Sequence, residues 1–464
     1  MSELLDSLDE ERLRSWFVEQ RWFGSKAQEV SLLNVLEAFT LRDEPPQLIL
    51  ALIEARFPSG THEVYQVPIG VRPSDEHWTD RVIAESDGQT FYDALADPAH
   101  ARELLHLMRS SVDVRAGDGT LGFRWSGSAN QSHPPGTVDV RPVGVEQSNS
   151  SIVFGEALIL KAFRRVEPGV NPELELLRFL SERDFPHIAP IAGWFQYEGR
   201  LMDATLGVLQ EYLAGATDGW EFALDALATD PEAFLARVRE LGTVTGEMHT
   251  ALGSEANDPA FAPEQPSTEA LAILTATIDE EIERIFVEMP ELEALEPIRG
   301  RGQDVQERLQ VLSHVGAGGR VIRTHGDYHL GQTMLAERGW VILDFEGEPG
   351  RPISQRRLKR SPLRDVAGML RSFSYAAAGS RILRGKPAPE GWEDRARETF
   401  LDGYFEAVDP GLLPPGEDPT RKMLAIFELE KAVYELRYEL NNRPDWVAIP
   451  TAGIVRLLES NGGT

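Results

Sequence analysis

Two polar sequences in the second half of the chain bring oxygen-bearing side chains to the ends of apolar runs. The first, HGDYHLGQ at residues 325–332, contains Asp327 and Gln332, and the second places Asp344 after an apolar run. Transfer of a phosphoryl group needs metal ions on the phosphate oxygens, a carboxylate that orients the acceptor hydroxyl, and a cation on the phosphates. Asp327 is suited to accept the hydroxyl proton. Gln332 and Asp344 offer oxygen atoms to a magnesium ion.

The HGD tripeptide alone is typical of a turn, since glycine and aspartate both form turns. The full pattern, HGD-x-H-x-x-Q followed by ILDF at residues 342–345, is much harder to obtain by chance, and we interpret it as catalytic. His329 is expected to hold the loop through hydrogen bonds on the substrate side. Glu346 is close enough along the chain to assist as a metal ligand, although an acid at a strand end is often only solvated.

A lysine in the first half of the chain is a candidate for the phosphate cation. Lys161 lies on a predicted strand, residues 157–163, on the same face as two apolar side chains. A lysine on an inward face needs a carboxylate, and the next predicted helix supplies Glu175. Glu173 is the competing partner, but its position in the first helical turn already gives it a role with the helix dipole. A plain charge on an edge strand is the alternative.

Two further segments are candidates for contact with a nucleotide. The sequence QSNSS at residues 147–151 lacks the glycines of a GxGxxG loop, so contacts with phosphate would use serine hydroxyls and backbone N–H groups. An apolar strand ends at residues 210–212 and is suited to be a hinge whose backbone meets an adenine, although a plain strand end explains it equally well. The predicted nucleotide-side residues are Lys161, Glu175, Ser148, Asn149, Ser150, Gln210, Glu211 and Tyr212.

The last long predicted helix carries paired aromatic and acidic side chains. Tyr434 and Tyr438 are four residues apart and share one face, as do Glu435 and Glu439, and Arg443 follows them. Aromatic rings beside carboxylates and an arginine would make a carbohydrate site. Buried core tyrosines and surface charge pairs are the alternative.

The composition limits the classes of function. The chain has 464 residues, 42% of them hydrophobic, which is enough apolar material for more than one packed unit. It contains no cysteine, which excludes disulfides and thiolate chemistry. The formal net charge of −29 weighs against nucleic acid as a partner. The start is acidic and amphipathic, and no apolar run approaches a membrane span, so we expect a cytoplasmic protein that acts on a small molecule.

The elements that must position these residues change character along the chain. Residues 4–23 have helical spacing, and residues 47–57 and 62–71 flank a turn like a strand pair. A helical stretch at residues 90–111 leads into a segment at residues 116–142 that is expected to be poor in strands. After about residue 211 helical periodicity dominates, with helices predicted at residues 231–252, 269–287, 304–311, 363–378, 395–408 and 421–440.

Taken together, the motifs resemble those of the bacterial maltokinases, which belong to the aminoglycoside-phosphotransferase branch of the protein-kinase-like fold. The resemblance covers almost the whole chain, with Ser25 where a glycine is expected in the opening motif. Its carriers are RWFGSK at residues 21–26, EQSNSS at 146–151, LK at 160–161 with FRR at 163–165, residues 169–175, residues 325–332, DFEGEP at 344–349, KRSPLRDVAGML at 359–370 and RPDW at 443–446.

The resemblance implies an α+β, bilobal protein-kinase-like (aminoglycoside phosphotransferase) fold. Its parts would be an N-terminal cap at residues 1–90, a β-rich intermediate subdomain at residues 91–210 and an α-helical C-lobe at residues 211–464, with ATP between the lobes. ATP and Mg2+ are the implied cofactors. Maltose would receive phosphate at its anomeric hydroxyl, giving maltose 1-phosphate for α-glucan synthesis, and association with a trehalose synthase is a further expectation.

The resemblance also implies roles for the candidate residues. Asp327 resembles the catalytic base, Gln332 and Asp344 the magnesium ligands, and Lys161 with Glu175 the phosphate-binding pair. In the closing helix, Tyr434, Tyr438 and Arg443 match the sugar-side segment.

Two alternatives remain open. Related kinases of the same architecture act on glucosamine and other amino sugars, and an acidic closing helix could hold an ammonium group, so an amino-sugar or aminoglycoside kinase is the first. A pseudokinase scaffold is the second. The complete set of Lys161, Glu175, Asp327, Gln332 and Asp344 argues against a scaffold, which has no chemical need for all five.

Overall fold

The computed structural model describes residues 5, 8–126, 139–143, 149–200, 202–313 and 318–459. Contacts between Cα atoms divide the chain into two compact units. The first unit comprises Met1–Glu182, Ala189–Ala214 and Arg351–Gln355, and the second comprises Arg183–Ile188, Gly215–Gly350 and Arg356–Thr464. Within the described ranges, no helix is both long enough and apolar enough to cross a membrane.

The first unit is rich in strands. In chain order its described elements are α1 (Glu10–Glu19), β1 (Leu32–Arg42), β2 (Gln47–Arg56), β3 (His62–Pro73), β4 (Val82–Ser86), β5 (Gln89–Asp93), α2 (Pro98–Ser110), β6 (Asp113–Ala116), β7 (Gly119–Trp125), β8 (Val140–Pro142), β9 (Asn149–Phe154), β10 (Leu158–Phe163), β11 (Arg165–Val166), α3 (Pro172–Ser181), β12 (Ile191–Glu198) and β13 (Asp203–Glu211).

These strands form two sheets. The first sheet has the order β1-β2-β3-β5-β4, and β11 pairs with β3 beside it. The second sheet has the order β6-β7-β12-β13-β10-β9-β8. All of the strand pairs are antiparallel.

Strand β2 explains how the first sheet is held, because it is apolar on both faces. Leu48, Leu50 and Leu52 belong to a core that also contains side chains of α2 and of the second sheet. Ile49 and Ile53 belong to a second core with the aromatic side chains of α1 and the segment after it. Alternate residues of a strand point to opposite faces, so the continuous apolar run of β2 marks a sheet covered on both sides.

The second unit is mainly helical. Its described elements are β14 (Thr217–Asp218), α4 (Gly219–Thr229), α5 (Pro231–Leu252), α6 (Thr268–Val287), α7 (Gly302–Ser313), β15 (Thr333–Ala336), β16 (Gly339–Ile342), α8 (Ile353–Arg356, which begins in the last stretch of the first unit), α9 (Leu363–Arg384), α10 (Trp392–Ala407), α11 (Glu417–Asn442) and α12 (Ala448–Glu459). Strands β14, β15 and β16 form a small antiparallel sheet in that order.

Helices α5 and α10 pack closely because glycines lie at their contact. A Cβ atom at Gly242 of α5 would lie 2.1 Å from the carbonyl oxygen of Phe400, and one at Gly403 of α10 would lie 2.2 Å from that of Arg239. Side chains at these two positions would force the helix backbones apart. The contact therefore requires glycine on both sides.

The β-rich first part and the helical second part agree with the predicted fold class. The predicted strand pair is confirmed as β2 and β3, with Ile49 opposite Ile69. The segment predicted to be poor in strands contains β7 and β8, and the predicted helix at residues 90–111 begins only at Pro98, because Gln89–Asp93 is β5. The three-part division stays a prediction, and β11, from residues 91–210, pairs with β3, from residues 1–90.

Candidate active site

The loop that carries Asp327 is held by a buried carboxylate on α9. The backbone N–H groups of His325 and Gly326 donate to the two carboxylate oxygens of Asp365, at 2.8 and 2.9 Å. On its other side, His325 Nε2 lies 2.8 Å from the carbonyl oxygen of Leu343, just after β16 ends. His325 therefore ties the predicted catalytic loop to the predicted metal-ligand segment.

Asp365 itself is buried and is stabilised as an anion. His249 Nε2, on α5, lies 3.1 Å from Asp365 Oδ2, and His249 Nδ1 lies 3.1 Å from the hydroxyl of Tyr404 on α10. Burial acts to raise the pKa of Asp365, but the hydrogen bond and charge of His249, the charge of His325 and the Gly326 amide outweigh burial and lower it below its ordinary value. The ionised carboxylate can therefore accept both N–H groups of the loop.

Asp327 is partly buried beside a fixed cation. Lys431 Nζ, on α11, lies 3.5 Å from Asp327 Oδ1, and His329 Nε2 lies 3.9 Å from Oδ2. Burial acts to lower the pKa of Lys431, but the charges of Asp327, Glu435 and Glu348 outweigh burial and raise it above its ordinary value. Lys431 is therefore charged at neutral pH, and one side of the predicted base faces its ammonium group.

His329 is a neutral ring that helps to shape the loop. Its Nδ1 accepts a hydrogen bond from the Gly331 N–H at 3.1 Å, so the proton of the neutral ring lies on Nε2. Burial lowers the pKa of His329; the charge of Asp327 opposes this and that of Lys431 adds to it. His329 caps the short turn Leu330–Gln332, as expected for a residue that holds the loop. Its contact with a substrate stays a prediction.

The hairpin of β15 and β16 brings Gln332 and Asp344 together. Thr333 lies opposite Ile342, and the N–H of Leu343 donates to the carbonyl oxygen of Gln332 at 2.9 Å. Gln332 Nε2 then donates to Asp344 Oδ2 at 3.0 Å. The two predicted metal ligands are therefore neighbours in space, as the sequence indicated.

Their donor chemistry fits a magnesium ion. Carboxylate and amide oxygens are hard ligands of the kind that magnesium prefers. Asp344 has a φ of 61°, in the left-handed region, and strain of this kind clusters at functional sites. Glu346 follows closely, and Arg356 Nη1 lies 3.3 Å from its carbonyl oxygen and 3.8 Å from its carboxylate. The metal roles of Gln332, Asp344 and Glu346 stay predictions.

Lys161 forms an ion pair with Glu173. Lys161 Nζ lies 2.8 Å from Glu173 Oε2, and the Glu173 side chain is only 1% exposed. The prediction named Glu175 as the partner and Glu173 as the competitor. Asn171 caps α3 through the N–H of Glu173, so Glu173 stands in the first turn. Glu173, which was assigned to the helix dipole, is therefore a partner of Lys161. The pairing of Glu175 with Lys161 stays a prediction.

The predicted phosphate segment is partly a strand. Ser148 lies outside the described residues, whereas Asn149 and Ser150 begin β9 and pair with β10. Ser150 is 1% exposed, and its hydroxyl accepts a hydrogen bond from Arg164 Nε at 2.7 Å. The prediction of a phosphate contact by the Ser150 hydroxyl is therefore corrected, because that group is held in the interior. A nucleotide contact by Asn149 stays a prediction.

The predicted adenine hinge uses two of its backbone donors internally. The N–H groups of Glu211 and Tyr212 donate to the carbonyl oxygens of Pro190 and Ala157, at 3.1 and 2.8 Å. An adenine would have to meet other backbone groups of this segment. The roles of Gln210, Glu211 and Tyr212 in nucleotide binding stay predictions.

One of the two predicted sugar-side tyrosines lies beside Lys431, the cation that contacts the predicted base. Tyr434 and Tyr438 are 37% and 45% exposed, and Lys431 Nζ lies 5.6 Å from the centre of the Tyr434 ring. Burial raises the pKa of Tyr434, and the charges of Glu348, Lys431 and Asp327 also act on it. Tyr434 therefore presents a partly exposed ring beside Lys431. The substrate contacts of both tyrosines stay predictions.

The acidic pair of α11 takes part in buried contacts with α9, whereas Arg443 pairs with Glu439 at the end of α11 itself. Arg443 Nε and Nη2 donate to the two carboxylate oxygens of Glu439, at 2.9 and 2.6 Å. Glu439 is 1% exposed and also accepts from the Tyr375 hydroxyl of α9 at 2.9 Å. Glu435, likewise buried, accepts from Arg371 Nε of α9 at 2.9 Å. Glu435 and Glu439 thus join α11 to α9. A sugar contact by Arg443 stays a prediction.

Two residues of this site were not singled out by the sequence analysis. Asp365 lies within the motif at residues 359–370, but nothing local shows that its carboxylate binds a loop about 40 positions earlier along the chain. Lys431 precedes Tyr434 by three positions and so shares its helix face, a signal that could have placed it on the substrate side.

Replacement of Asp365 by Asn is expected to lower the predicted phosphoryl transfer about 10- to 100-fold, because an amide offers one acceptor where the loop needs two. It should also cost roughly 1.5–3 kcal/mol of stability, the range for a hydrogen bond to a charged group. Since folding lowers the pKa of Asp365, its contribution is present above about pH 3.9 and is lost as the pH falls through the lowered value. Turnover and unfolding should be measured together.

The control is Asp402→Asn, an exposed carboxylate on α10 that pairs loosely with Arg239 at 3.6 Å. It should change neither quantity. An Asp365→Asn protein with normal turnover would show that the predicted catalytic loop does not depend on this carboxylate.

Comparisons with known proteins show the family of this chain. The model of the maltokinase N-terminal cap domain matches residues 16–97, and that of the phosphotransferase enzyme family, APH, matches residues 139–374, which is half of the chain. A glucosamine kinase of Mycolicibacterium smegmatis is 28% identical over 409 residues, covering 85% of this chain and 93% of the relative. Another, from Streptacidiphilus jiangxiensis, is 28% identical over 334 residues, covering 68% and 73%.

A solved structure has the same fold. The glucosamine kinase in complex with glucosamine, ADP and inorganic phosphate superposes with a TM-score of 0.73 at 20% identity, over 98% of this chain and 99% of that chain. This likeness confirms the predicted fold, and the family models confirm the predicted resemblance. The chain therefore belongs to the phosphotransferase enzyme family, with a maltokinase-type cap at its start, and it is an ATP-dependent kinase.

Proposed function

We propose that this kinase transfers the γ-phosphoryl group of ATP to the anomeric hydroxyl of maltose, releasing ADP and maltose 1-phosphate. Asp327 orients the hydroxyl and accepts its proton, and Lys161, held by Glu173, binds phosphate oxygens. Gln332 and Asp344 hold Mg2+, which when bound neutralises charge on the phosphates.

The observation that carries the choice of a neutral sugar is the pairing of every glutamate in the closing helix segment, residues 428–439. An amino sugar would need a carboxylate for its ammonium group, and these are the carboxylates that the sequence offered for that purpose. Each is bound to an arginine instead: Glu428 to Arg397 at 2.6 Å, Glu430 to Arg364 at 2.7 Å, Glu435 to Arg371 at 2.8 Å and Glu439 to Arg443 at 2.6 Å.

The charge next to the base supports the same choice. Lys431 places its ammonium group 3.5 Å from Asp327. A second ammonium group held about 4 Å from Lys431 would be repelled by about 4 kcal/mol at an effective dielectric constant of about 20. A hydroxyl group meets no such penalty and can accept a hydrogen bond from the same ammonium.

The side chains around Tyr434 suit a sugar ring. Lys431 lies over one part of this ring, and Arg437 Cζ lies 5.7 Å from its centre. Arg437 is fixed by Glu281 of α6, with contacts of 2.8 and 2.9 Å. A partly exposed aromatic ring between fixed polar groups offers apolar contact to a sugar face and hydrogen bonds to its hydroxyls.

Glucosamine is the second candidate acceptor. The relatives from Mycolicibacterium smegmatis and Streptacidiphilus jiangxiensis are both named glucosamine kinases. In this chain, Glu348 is the carboxylate that favours a cationic acceptor, because its charge acts on both Lys431 and Tyr434.

The test is ADP release with magnesium and ATP against maltose, glucose, glucosamine and an aminoglycoside, with phosphorus NMR of the product. We expect kcat/KM for maltose to exceed that for glucosamine by about 100-fold or more, as expected from a difference of about 3 kcal/mol or more. Faster turnover of glucosamine than of maltose would show that the acceptor is an amino sugar and not maltose. No turnover of any acceptor would contradict a sugar kinase.

The role of Lys431 in this preference can be tested separately. In Lys431→Met we expect kcat/KM for maltose to fall about tenfold, because a charged hydrogen-bond donor is lost, and the ratio of glucosamine to maltose activity to rise. Lys422→Met is the matched control, since Lys422 lies on the same helix and pairs with Asp418 on the surface. An unchanged ratio in Lys431→Met would refute the charge argument.

A further inference from the structure

A buried arginine joins the first sheet to the strand before the predicted phosphate lysine. Arg164, which follows β10 directly, has no exposed surface, and its Nη2 lies 2.6 Å from Asp93 Oδ2 at the end of β5. Its Nε donates to the hydroxyl of Ser150 at the start of β9, at 2.7 Å. Its guanidinium carbon lies 5.2 Å from the centre of the Trp22 ring. One side chain thus connects two residues of the cap segment, defined here as residues 16–97 matched by the cap-domain model, with β9.

A glutamine of the first sheet reaches the same strands. The Gln66 side chain, on β3, donates to the carbonyl oxygen of Phe163 at 2.8 Å and also to that of Leu206 in β13. The backbone N–H of Gln66 donates to the carbonyl oxygen of Arg164 at 2.9 Å. The last residue of β10 is therefore fixed by a side chain that the second sheet itself does not supply.

The strand register places these contacts close to Lys161. Ser150 lies opposite Ala162, and Lys161 lies opposite Ser151. Arg164 and Gln66 thus act within three positions of Lys161 along β10, at the end where Asn149 lies opposite Phe163. The guanidinium group of Arg164 and the side-chain amide of Gln66 are both buried. The directions and lengths of their hydrogen bonds are therefore constrained.

We infer that the cap segment positions the nucleotide-binding strands, with Asp93 acting through Arg164 and Ser150 on β9 and Gln66 acting on β10. A buried arginine is costly unless a carboxylate and further acceptors satisfy it, so Arg164 can take only the place that Asp93 and Ser150 define. The position of Arg164 in turn fixes the start of β9 and the end of β10, next to Lys161. These four are positioning residues, and the inference rests on the proposed role of Lys161 in binding phosphates.

The test removes both charges of the pair at once. In the double variant Asp93→Asn, Arg164→Met no unpaired charge is left in the interior, which preserves folding better than either single change. We expect the dissociation constant for magnesium ADP, measured by titration calorimetry without a sugar, to rise about tenfold, because displaced phosphate contacts weaken binding. Ser150→Ala keeps the ion pair and should raise the same dissociation constant by a smaller factor. This variant is the test to use if the double variant does not fold.

The matched control is Arg72→Met, Asp97→Asn, a second partly buried pair of the cap segment with a separation of 2.5 Å. It should lower the unfolding temperature comparably and leave ADP affinity unchanged, since it does not contact β9 or β10. Equal loss of ADP affinity in both double variants, or unchanged affinity with Asp93 and Arg164 replaced and in Ser150→Ala, would overturn the inference. Lys161→Met in the same titration tests the proposed function separately, because unchanged affinity there would contradict only the role of Lys161.

Discussion

Replacement of Asp327 by Asn is expected to lower kcat by about 10²–10⁴-fold while leaving ADP affinity nearly unchanged. A positioned base contributes about this much to a reaction that transfers a proton in its transition state. The amide keeps the size of the side chain but cannot accept the hydroxyl proton. The loop itself should stay in place, because His325 and Gly326 are held through their backbone by Asp365 rather than by Asp327.

This result is checked by steady-state kinetics with magnesium and ATP, together with calorimetric titration of ADP. Asp225→Asn is the control, since Asp225 is an exposed carboxylate of α4 with no part in the site. Normal turnover of Asp327→Asn would remove Asp327 from the mechanism. A loss of ADP affinity equal to the loss of turnover would show that the residue serves binding instead.

Replacement of Asp344 by Asn is the second change with a large expected effect. We expect turnover to fall by more than about 100-fold and the magnesium dependence of nucleotide affinity to be lost, since removal of a direct ligand should exceed the 10- to 100-fold cost of disturbing the groups around a metal. Asn is preferred to Ala because Asp344 has a positive φ, which asparagine tolerates better than most residues.

The measurement is titration of ADP at a series of magnesium concentrations, with turnover measured in parallel. Gln332→Leu is the companion variant, and it should reduce magnesium dependence less, because a neutral amide contributes less than a carboxylate. An Asp344→Asn protein that keeps the normal magnesium dependence would exclude Asp344 as a ligand.

Much of this site could be predicted because its parts are close along the chain. The two segments that hold Gln332 and Asp344 flank a short hairpin, and pairing of β15 with β16 brings their ends together without help from distant elements. Lys161 was predicted to bind phosphate because the alternation of side chains along its strand places it on the same face as two apolar residues. In each case a local period and a short connection determine the neighbourhood.

The partners of these residues could not be predicted in the same way. The sequence assigned Glu173 to the helix dipole, but the beginning of α3 also brings its carboxylate to Lys161. Ser150 was assigned to a phosphate contact, yet Arg164 holds its hydroxyl in the interior. Both differences depend on how a helix or strand is rotated against its neighbours, which composition and period do not specify.

The sequence by itself determined the enzyme family, the change from strands to helices, and the residues Asp327, Gln332, Asp344 and Lys161 as candidates for chemistry. Only the tertiary structure decided that Asp365 holds the predicted catalytic loop, that Lys431 faces the predicted base, and that the glutamates of α11 are paired with arginines. The reason is physical. Motifs and periods report interactions between residues that are near in sequence, whereas ion pairs between distant helices depend on packing that only the folded chain establishes.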